Sequence, residues 1–298
     1  MPELPEVETV RRGLEPHMVG QVIDYIALRR PNLRYPFPVQ FEQTLLGAEI
    51  KHIGRRAKYL LCHITTVQKD DLVWITHLGM TGRFTIFNDG ANTPGYNDGA
   101  NTPGRFHNQI EPREEHEHVV LSLRNETQIT YCDPRRFGFM HLIPEADISQ
   151  YPAFAKMGPE PTQPIDVAGL LQRLSHRSCP IKSALLDQSV LAGLGNIYVC
   201  EALFRAGISP KTRANKISKQ RLARLSAAIE AVIAEAILAG GSTLRDFRAS
   251  DGELGYFQHQ FDVYDRANEA CSRTTCQGII KRIVQSGRSS FYCGTCQR

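Results

Sequence analysis

Residues of two types capable of chemistry lie near the two ends of the sequence. Cys271 and Cys276 form a C-x4-C pair and, after sixteen intervening residues, Cys293 and Cys296 form a C-x2-C pair, all within the last 28 residues. Thiolates paired at such spacing converge on a tetrahedral Zn²⁺, which organises a segment too short to have its own core; disulfides are the other reading of the same four residues. Cys62, Cys132, Cys179 and Cys200 are scattered, as core thiols are. At the other end, Pro2 follows Met1. Removal of Met1, usual before a small residue, makes Pro2 a secondary amine. An α-amino group titrates near ~7.7–8.0, so part of it is neutral at pH 7 and able to attack an aldehyde-like carbon, forming a cationic iminium. Glu3 beside it is either a proton donor or an acid that complements a helix N-terminus.

These residues need elements to hold them. A helix is predicted over 5–14, opened by Pro5, with Val7, Val10 and Leu14 on one side and Gly13 weakening its end. Strands are predicted over 48–53, 57–64, 72–77, 83–87, 117–123, 127–132 and 136–142, many with alternating β-branched or aromatic residues. The first half is therefore a β sandwich or barrel with a helix attached. Between two of those strands, Asn88–Gly95 and Asn97–Gly104 are identical copies flanking Tyr96. Their Asp-Gly and Pro-Gly dipeptides mark an enlarged surface loop with no function of its own. Pro152, Pro159, Pro161 and Pro164 mark a linker, after which helices are predicted over 166–175, 180–189, 196–206 and 218–239. Ser218 caps the last of these and Gly240-Gly241 stops it.

The 298 residues, 42% hydrophobic and 22% charged, suit two soluble domains and exclude collagen-like, coiled-coil and wholly disordered chains. No apolar run reaches the ~18 residues of a membrane span, and the acidic N-terminus is unlike a signal peptide, so a cytoplasmic protein is expected. The net charge of +4 says little, but its distribution says more. Seven basic residues and no acid fall between Arg205 and Arg224, and four more between Lys51 and Lys58. Such runs are either surfaces for a polyanion or solvated faces.

Six segments, in order along nearly the whole chain, carry a family resemblance: Met1-Pro2-Glu3-Leu4-Pro5-Glu6 with the helix after it, Arg55-Arg56-Ala57-Lys58-Tyr59-Leu60, His77-Leu78-Gly79-Met80-Thr81-Gly82, Asp133-Pro134-Arg135-Arg136-Phe137-Gly138, Gly193-Leu194-Gly195-Asn196-Ile197-Tyr198, and the cysteine-rich end. The chain resembles bacterial formamidopyrimidine-DNA glycosylases. That resemblance implies an α+β protein with an N-terminal β-sandwich catalytic domain (1–145), a linker (146–164), a helical helix-two-turn-helix domain (165–260) and a C-terminal zinc-finger β-hairpin (261–298). It implies a monomeric glycosylase and AP lyase of base excision repair, acting on double-stranded DNA that contains oxidised purines or abasic sites, with one structural Zn²⁺ on Cys271, Cys276, Cys293 and Cys296. The alternatives are an endonuclease VIII-like enzyme for oxidised pyrimidines and a non-catalytic damaged-DNA-binding protein. Leu4 and the set Met80, Arg135 and Phe137 favour the purine enzyme.

By the same resemblance Pro2 is the nucleophile at C1′ and Glu3 the adjoining acid/base, while Lys58 and Arg288 serve β- and δ-elimination. Chemistry on a base requires it out of the stack, and Met80, Arg135 and Phe137 match residues that fill the gap. His116, Arg135, Arg177 and Asn196 match contacts to the DNA backbone or the gap. Each has a plainer reading: Lys58 as a solvated strand residue, Met80 and Phe137 as core, Arg288 as a phosphate clamp. The first cysteine pair is spaced by four residues where the family has two, so its loop must bulge. The repeat lies just before Glu114–His118, and Asp251–Tyr256 lies near the pocket that sets lesion preference.

Overall fold

The computed structural model describes residues 2–87, 114–242 and 256–298. Met1, the repeat at 88–104 and residues 251–255 of the lesion-preference segment lie outside these. The chain divides into two compact units, Met1–Tyr151 with Gly240–Gly255, and Pro152–Ala239 with Tyr256–Arg298.

The first unit opens with α1 (Leu4–Met18), followed by β1 (Ile23–Leu28), α2 (Phe41–Leu45), β2 (Glu49–Arg56), β3 (Tyr59–Thr65), β4 (Asp71–His77), β5 (Arg83–Phe87), β6 (Glu117–Leu123), β7 (Gln128–Cys132) and β8 (Phe139–Pro144). The strands form two four-stranded antiparallel sheets, ordered β1-β6-β7-β5 and β2-β3-β4-β8. Alternate residues point inward, such as Leu60, Cys62 and Ile64 on β3, and meet Val119, Leu121 and Tyr131 of the other sheet in one core with Val7, Val10 and Leu14 of α1. α1 runs four residues beyond its predicted end, through Gly13 to Met18. Leu14 and Met18 continue the apolar stripe into the core, and that burial outweighs the roughly 1 kcal/mol a helical glycine costs. β1 escapes a periodicity search because a register shift between Ile23 and Tyr25 breaks its alternation. α2, at five residues, is too short to show a helical period.

The second unit holds α3 (Val167–Ser175), α4 (Ile181–Leu185), α5 (Asn196–Arg205), α6 (Lys219–Leu238) and a hairpin of β9 (Ile280–Gln285) and β10 (Arg288–Cys293). Ser218 accepts a hydrogen bond from Arg221 N at 3.4 Å, and Gly240 and Gly241 both take positive φ at the stop. The predicted helix over 180–189 ends at Leu185. Beyond it, Asp187 Oδ1 accepts from both the backbone N–H and the hydroxyl of Ser189, a local turn that competes with the helix. Cys200 and Phe204 of α5 share a core with Val263, Cys271, Ile280, Phe291 and Cys293, so the hairpin module takes part of its core from a helix. Among the described residues no helix is long and apolar enough to cross a membrane.

Candidate functional site

In the first unit, Pro2 is buried and Glu3 is the N-cap of α1. The Glu3 N–H donates to Glu6 Oε2 at 2.8 Å, while Glu6 Oε1 accepts from the N–H of Ser242 at 2.8 Å and its hydroxyl at 3.0 Å. Glu6 thus ties the first turn of α1 to residues 240–242. A Cβ on Gly241 would lie 2.9 Å from Glu6 Oε1, on a backbone already at φ +79°.

Lys58 sits in the tight β2–β3 turn after Ala57, whose φ is +51°, and is only 7% exposed, so it is not a solvated strand residue. Arg55 fastens that turn to α1: its Nε donates to Glu8 Oε2 at 3.0 Å and its Nη1 to the Ala57 carbonyl at 2.9 Å. Near Lys58, His77 stacks on Phe139 with ring centroids 5.3 Å apart and planes 8° apart. Burial, reinforced by the positive charges of Lys58 and Arg34, pushes the His77 imidazole down to about 4. Its Nδ1 accepts the Gly79 N–H at 3.0 Å, so the neutral ring carries its proton on Nε2.

Two loops carry Met80, Arg135 and Phe137, and one carboxylate joins them. Fully buried Asp133 accepts from the Thr81 hydroxyl at 2.5 Å and from Gly138 N at 2.8 Å, and Arg135 N donates to Thr81 Oγ1 at 3.2 Å. Gly79 and Gly138 make this approach possible. A Cβ on Gly79 would sit 2.3 Å from Gly138 N, and one on Gly138 2.0 Å from the Tyr131 hydroxyl. On this frame Met80 is half-buried and Phe137 is 44% exposed, with the Arg135 guanidinium 4.9 Å from its ring centroid. Neither apolar residue belongs to the core. His116 ends a 3₁₀ turn with Nε2 3.7 Å from Glu115, while buried His118 donates through Nε2 to the Asp133 carbonyl at 2.9 Å. The second histidine of Glu114–His118 is thus a brace for the loop.

In the second unit, Arg177 pairs with Asp187 at 2.7 Å and donates to Ser189 Oγ at 3.1 Å. Asn196 is the first residue of α5, and its Nδ2 donates to the Ser289 carbonyl at 3.0 Å. Arg288 is exposed at the start of β10, after the Ser286-Gly287 turn in which both residues take positive φ. Two residues here escaped the sequence reading. Lys182 is fully buried and donates to the Ser289 carbonyl at 2.7 Å and Ser290 Oγ at 2.6 Å, so two side chains hold the peptide group beside Arg288. Glu201 is also fully buried, and its carboxylate accepts the N–H groups of Asp262, Val263 and Tyr264. Burial pushes its carboxyl upward and those three bonds oppose it. The visible signal for both was a charge among apolar neighbours in a short helical stretch.

The four cysteines of the finger converge. Their sulfurs all lie within 4.8 Å of one another, with Cys271 and Cys296 at 3.8 Å and Cys276 and Cys293 at 3.6 Å. Zn–S bonds of about 2.3 Å in a tetrahedron place sulfurs about 3.8 Å apart, so the set fits one Zn²⁺. Burial pushes the thiols of Cys271, Cys293 and Cys296 up; at Cys293 the N–H groups of Cys296 and Thr295 and the neighbouring sulfurs outweigh it and hold the thiol down to about 7, while Cys271 and Cys296 stay raised. The four-residue spacing is absorbed by a loop closed by Cys276 N donating to the Arg273 carbonyl at 2.9 Å. Among the described residues this is the metal-ligating cluster, and the acids and histidines of Glu115–His118 form none.

Comparison with known proteins agrees over the whole chain. Family profiles match residues 1–140 (formamidopyrimidine-DNA glycosylase N-terminal domain), 157–248 (formamidopyrimidine-DNA glycosylase H2TH domain) and 268–298 (zinc finger found in FPG and IleRS). Formamidopyrimidine-DNA glycosylases of Dinoroseobacter shibae and Caulobacter vibrioides are each 50% identical over 299 residues, covering all of both chains. Among solved structures, a mutant Lactococcus lactis FPG in complex with Fapy-dG-containing DNA aligns with a TM-score of 0.84 at 35% identity over all of both chains. The Lactococcus lactis Fpg with abasic-site DNA aligns with a TM-score of 0.83 at 34% identity, covering 99% of each. With an α+β fold, a four-cysteine zinc finger and full-length similarity, the chain belongs to the formamidopyrimidine-DNA glycosylase family.

Proposed function

We propose that this chain is a monomeric, cytoplasmic DNA glycosylase and AP lyase of base excision repair, which removes oxidised purines such as 8-oxoguanine and formamidopyrimidines from double-stranded DNA. The observation that carries the reading is the placement of Pro2 and Glu3 at the start of α1, in the same unit as Lys58, which Arg55 holds through Glu8 and Ala57. The Pro2 amine attacks C1′, and the C1′–N bond breaks as the base leaves with a proton. Glu3 assists opening of the sugar, leaving an iminium between Pro2 and C1′. That cation draws electrons from C2′–H; loss of this proton expels the 3′ phosphate, and a second elimination expels the 5′ phosphate. Lys58 and Arg288 serve these proton transfers. Met80 and Phe137 fill the space of the extruded nucleotide, and Arg135 hydrogen-bonds the orphaned cytosine. His116, Arg177 and Asn196 take phosphates, Asn196 at a helix N-terminus whose N–H groups suit an anion. The zinc shapes the finger and takes no part in the chemistry.

Borohydride trapping on a duplex with 8-oxoguanine opposite cytosine tests the reading. A covalent complex is expected, absent in Pro2→Gly. Failure to trap, or excision and strand cleavage intact in Pro2→Gly, overturns it in favour of a damaged-DNA binder or another nucleophile. Intact mass of the purified chain establishes whether Pro2 is the free amine.

A further inference from the structure

The loop between Cys271 and Cys276 does more than span the metal site. Arg273, half-buried in that loop, donates through Nη2 to the carbonyls of Phe204 at 2.6 Å and Arg205 at 3.1 Å, and its guanidinium lies 4.8 Å from the centroid of the Phe204 ring. Phe204 and Arg205 are the last two residues of α5, where the dipole is negative; Gly207 N already donates to the Phe204 carbonyl at 2.9 Å, and Arg273 adds a charged donor to it and to that of Arg205. A planar cation with several donors satisfies both features while stacking on the ring. A second strand of the loop points the same way. Ser272 Oγ donates to Asp262 Oδ1 at 2.7 Å, and Arg205 Nε lies 3.6 Å from Asp262 Oδ2.

α5 is held along its length by the segment that carries the finger. Asn196 at its start donates to Ser289 of β10, Glu201 in its middle accepts from residues 262–264, and Phe204 and Arg205 at its end accept from Arg273. Cys200 and Phe204 lie in one core with Cys271 and Cys293. Closing Cys271 and Cys276 on one metal fixes the loop ends, and so fixes where Arg273 stands.

We infer that Arg273 is a positioning residue that locks the C-terminal end of α5 to the metal-bound cysteine loop, so that zinc occupancy and the order of α5 are coupled. Through α5 the coupling reaches Asn196 at the helix's other end. Zinc release and amide exchange around α5 are read without base excision, and so are independent of the chemistry at Pro2.

The test uses the full-length, zinc-loaded chain. Arg273→Ala is expected to release zinc to a chromophoric chelator about tenfold faster than wild type, matching the loss of a charge-assisted hydrogen bond to a helix end. Amide hydrogen exchange at Ala206, Gly207 and Ile208 is expected to accelerate by about the same factor, with Arg273→Lys restoring part of each effect. Stripping zinc from the wild-type chain is expected to expose the same three amides. Wild-type zinc release from Arg273→Ala overturns the coupling even if the helix end frays. So does unchanged protection of residues 206–208 after zinc removal from the wild type, a measurement that stands if the alanine variant fails to fold.

Discussion

Arg55 and Glu8 form an ion pair at 3.0 Å, with side chains 8% and 13% exposed, that joins the strand leading to Lys58 with the helix that follows Pro2. Glu8 also takes Arg11 and Arg12, so it is the centre of a three-arginine network. Burial pushes its carboxyl upward, but the three guanidiniums hold it below its ordinary value. Removing Arg55 leaves Glu8 two partners, whereas removing the Glu8 charge takes one carboxylate from three guanidiniums at once, of which Arg11 keeps Glu15 at 2.9 Å and Arg55 keeps the Ala57 carbonyl.

Arg55→Ala is therefore expected to fold, and to lower strand cleavage by about tenfold to a hundredfold through misplacement of Lys58. Affinity for abasic-site DNA is expected to change much less. Glu8→Gln is expected to destabilise the fold more than Arg55→Ala, by roughly 2 kcal/mol, because it weakens charge-assisted bonds to three guanidiniums together. Single-turnover nicking assays and denaturant titrations measure the two effects.

The loops that bear Met80 and Phe137 depend on a carboxylate and on glycines, not on the apolar residues themselves. Asp133→Asn, which replaces an acceptor by a donor against Thr81 or Gly138, is expected to cost about 1–3 kcal/mol. Gly79→Ala, with positive φ and a Cβ 2.3 Å from Gly138 N, is expected to cost about 2–4 kcal/mol. Met80→Ala is expected to leave the melting temperature nearly unchanged and to reduce excision. Melting curves beside glycosylase assays separate the loop frame from the side chain it presents.

His77 gives the chain a pH signature. Its folded value of about 4 lies below the ordinary 6.5, so its stabilising contribution is complete above 6.5 and is lost as the pH falls from 6.5 through about 4. The His77 ring resonances are expected to stay in the neutral range from pH 8 to pH 5. The denaturant midpoint is expected to decline on acidification through this window, and to decline less in His77→Asn.

Metal analysis is expected to return about one zinc per chain. Chelation is expected to disorder the finger, since its core is shared with two zinc ligands and a helix. DNA affinity is then expected to fall, and Cys271→Ala to reproduce the loss. The drop is expected alongside a shallower dependence of binding on salt, as phosphate contacts from the finger disappear.

Regular patterning exposed most of the fold to a reader of the sequence. The apolar runs of β3 and β7, rich in β-branched and aromatic residues, and the long apolar stripe of α6 stand out in the sequence. β1, with its register shift, and α2, with five residues, do not. The candidate site was legible where motifs name residue types, as at Pro2, Lys58 and the cysteines. What supports those residues was not legible, because Asp133 takes a hydroxyl 52 positions away and Lys182 and Glu201 act through backbone groups distant in sequence. Lys182 to Ser289 spans 107 positions and Glu201 to Asp262 spans 61, and no local pattern announces such a pair.

The anchorage of β10 has an evolutionary consequence. Both Lys182 and Asn196 grip the carbonyl of Ser289, an atom that every amino acid possesses. Mutation can therefore rewrite the side chain at 289 without cutting that mooring, and the surface around Arg288 can drift while its footing stays put.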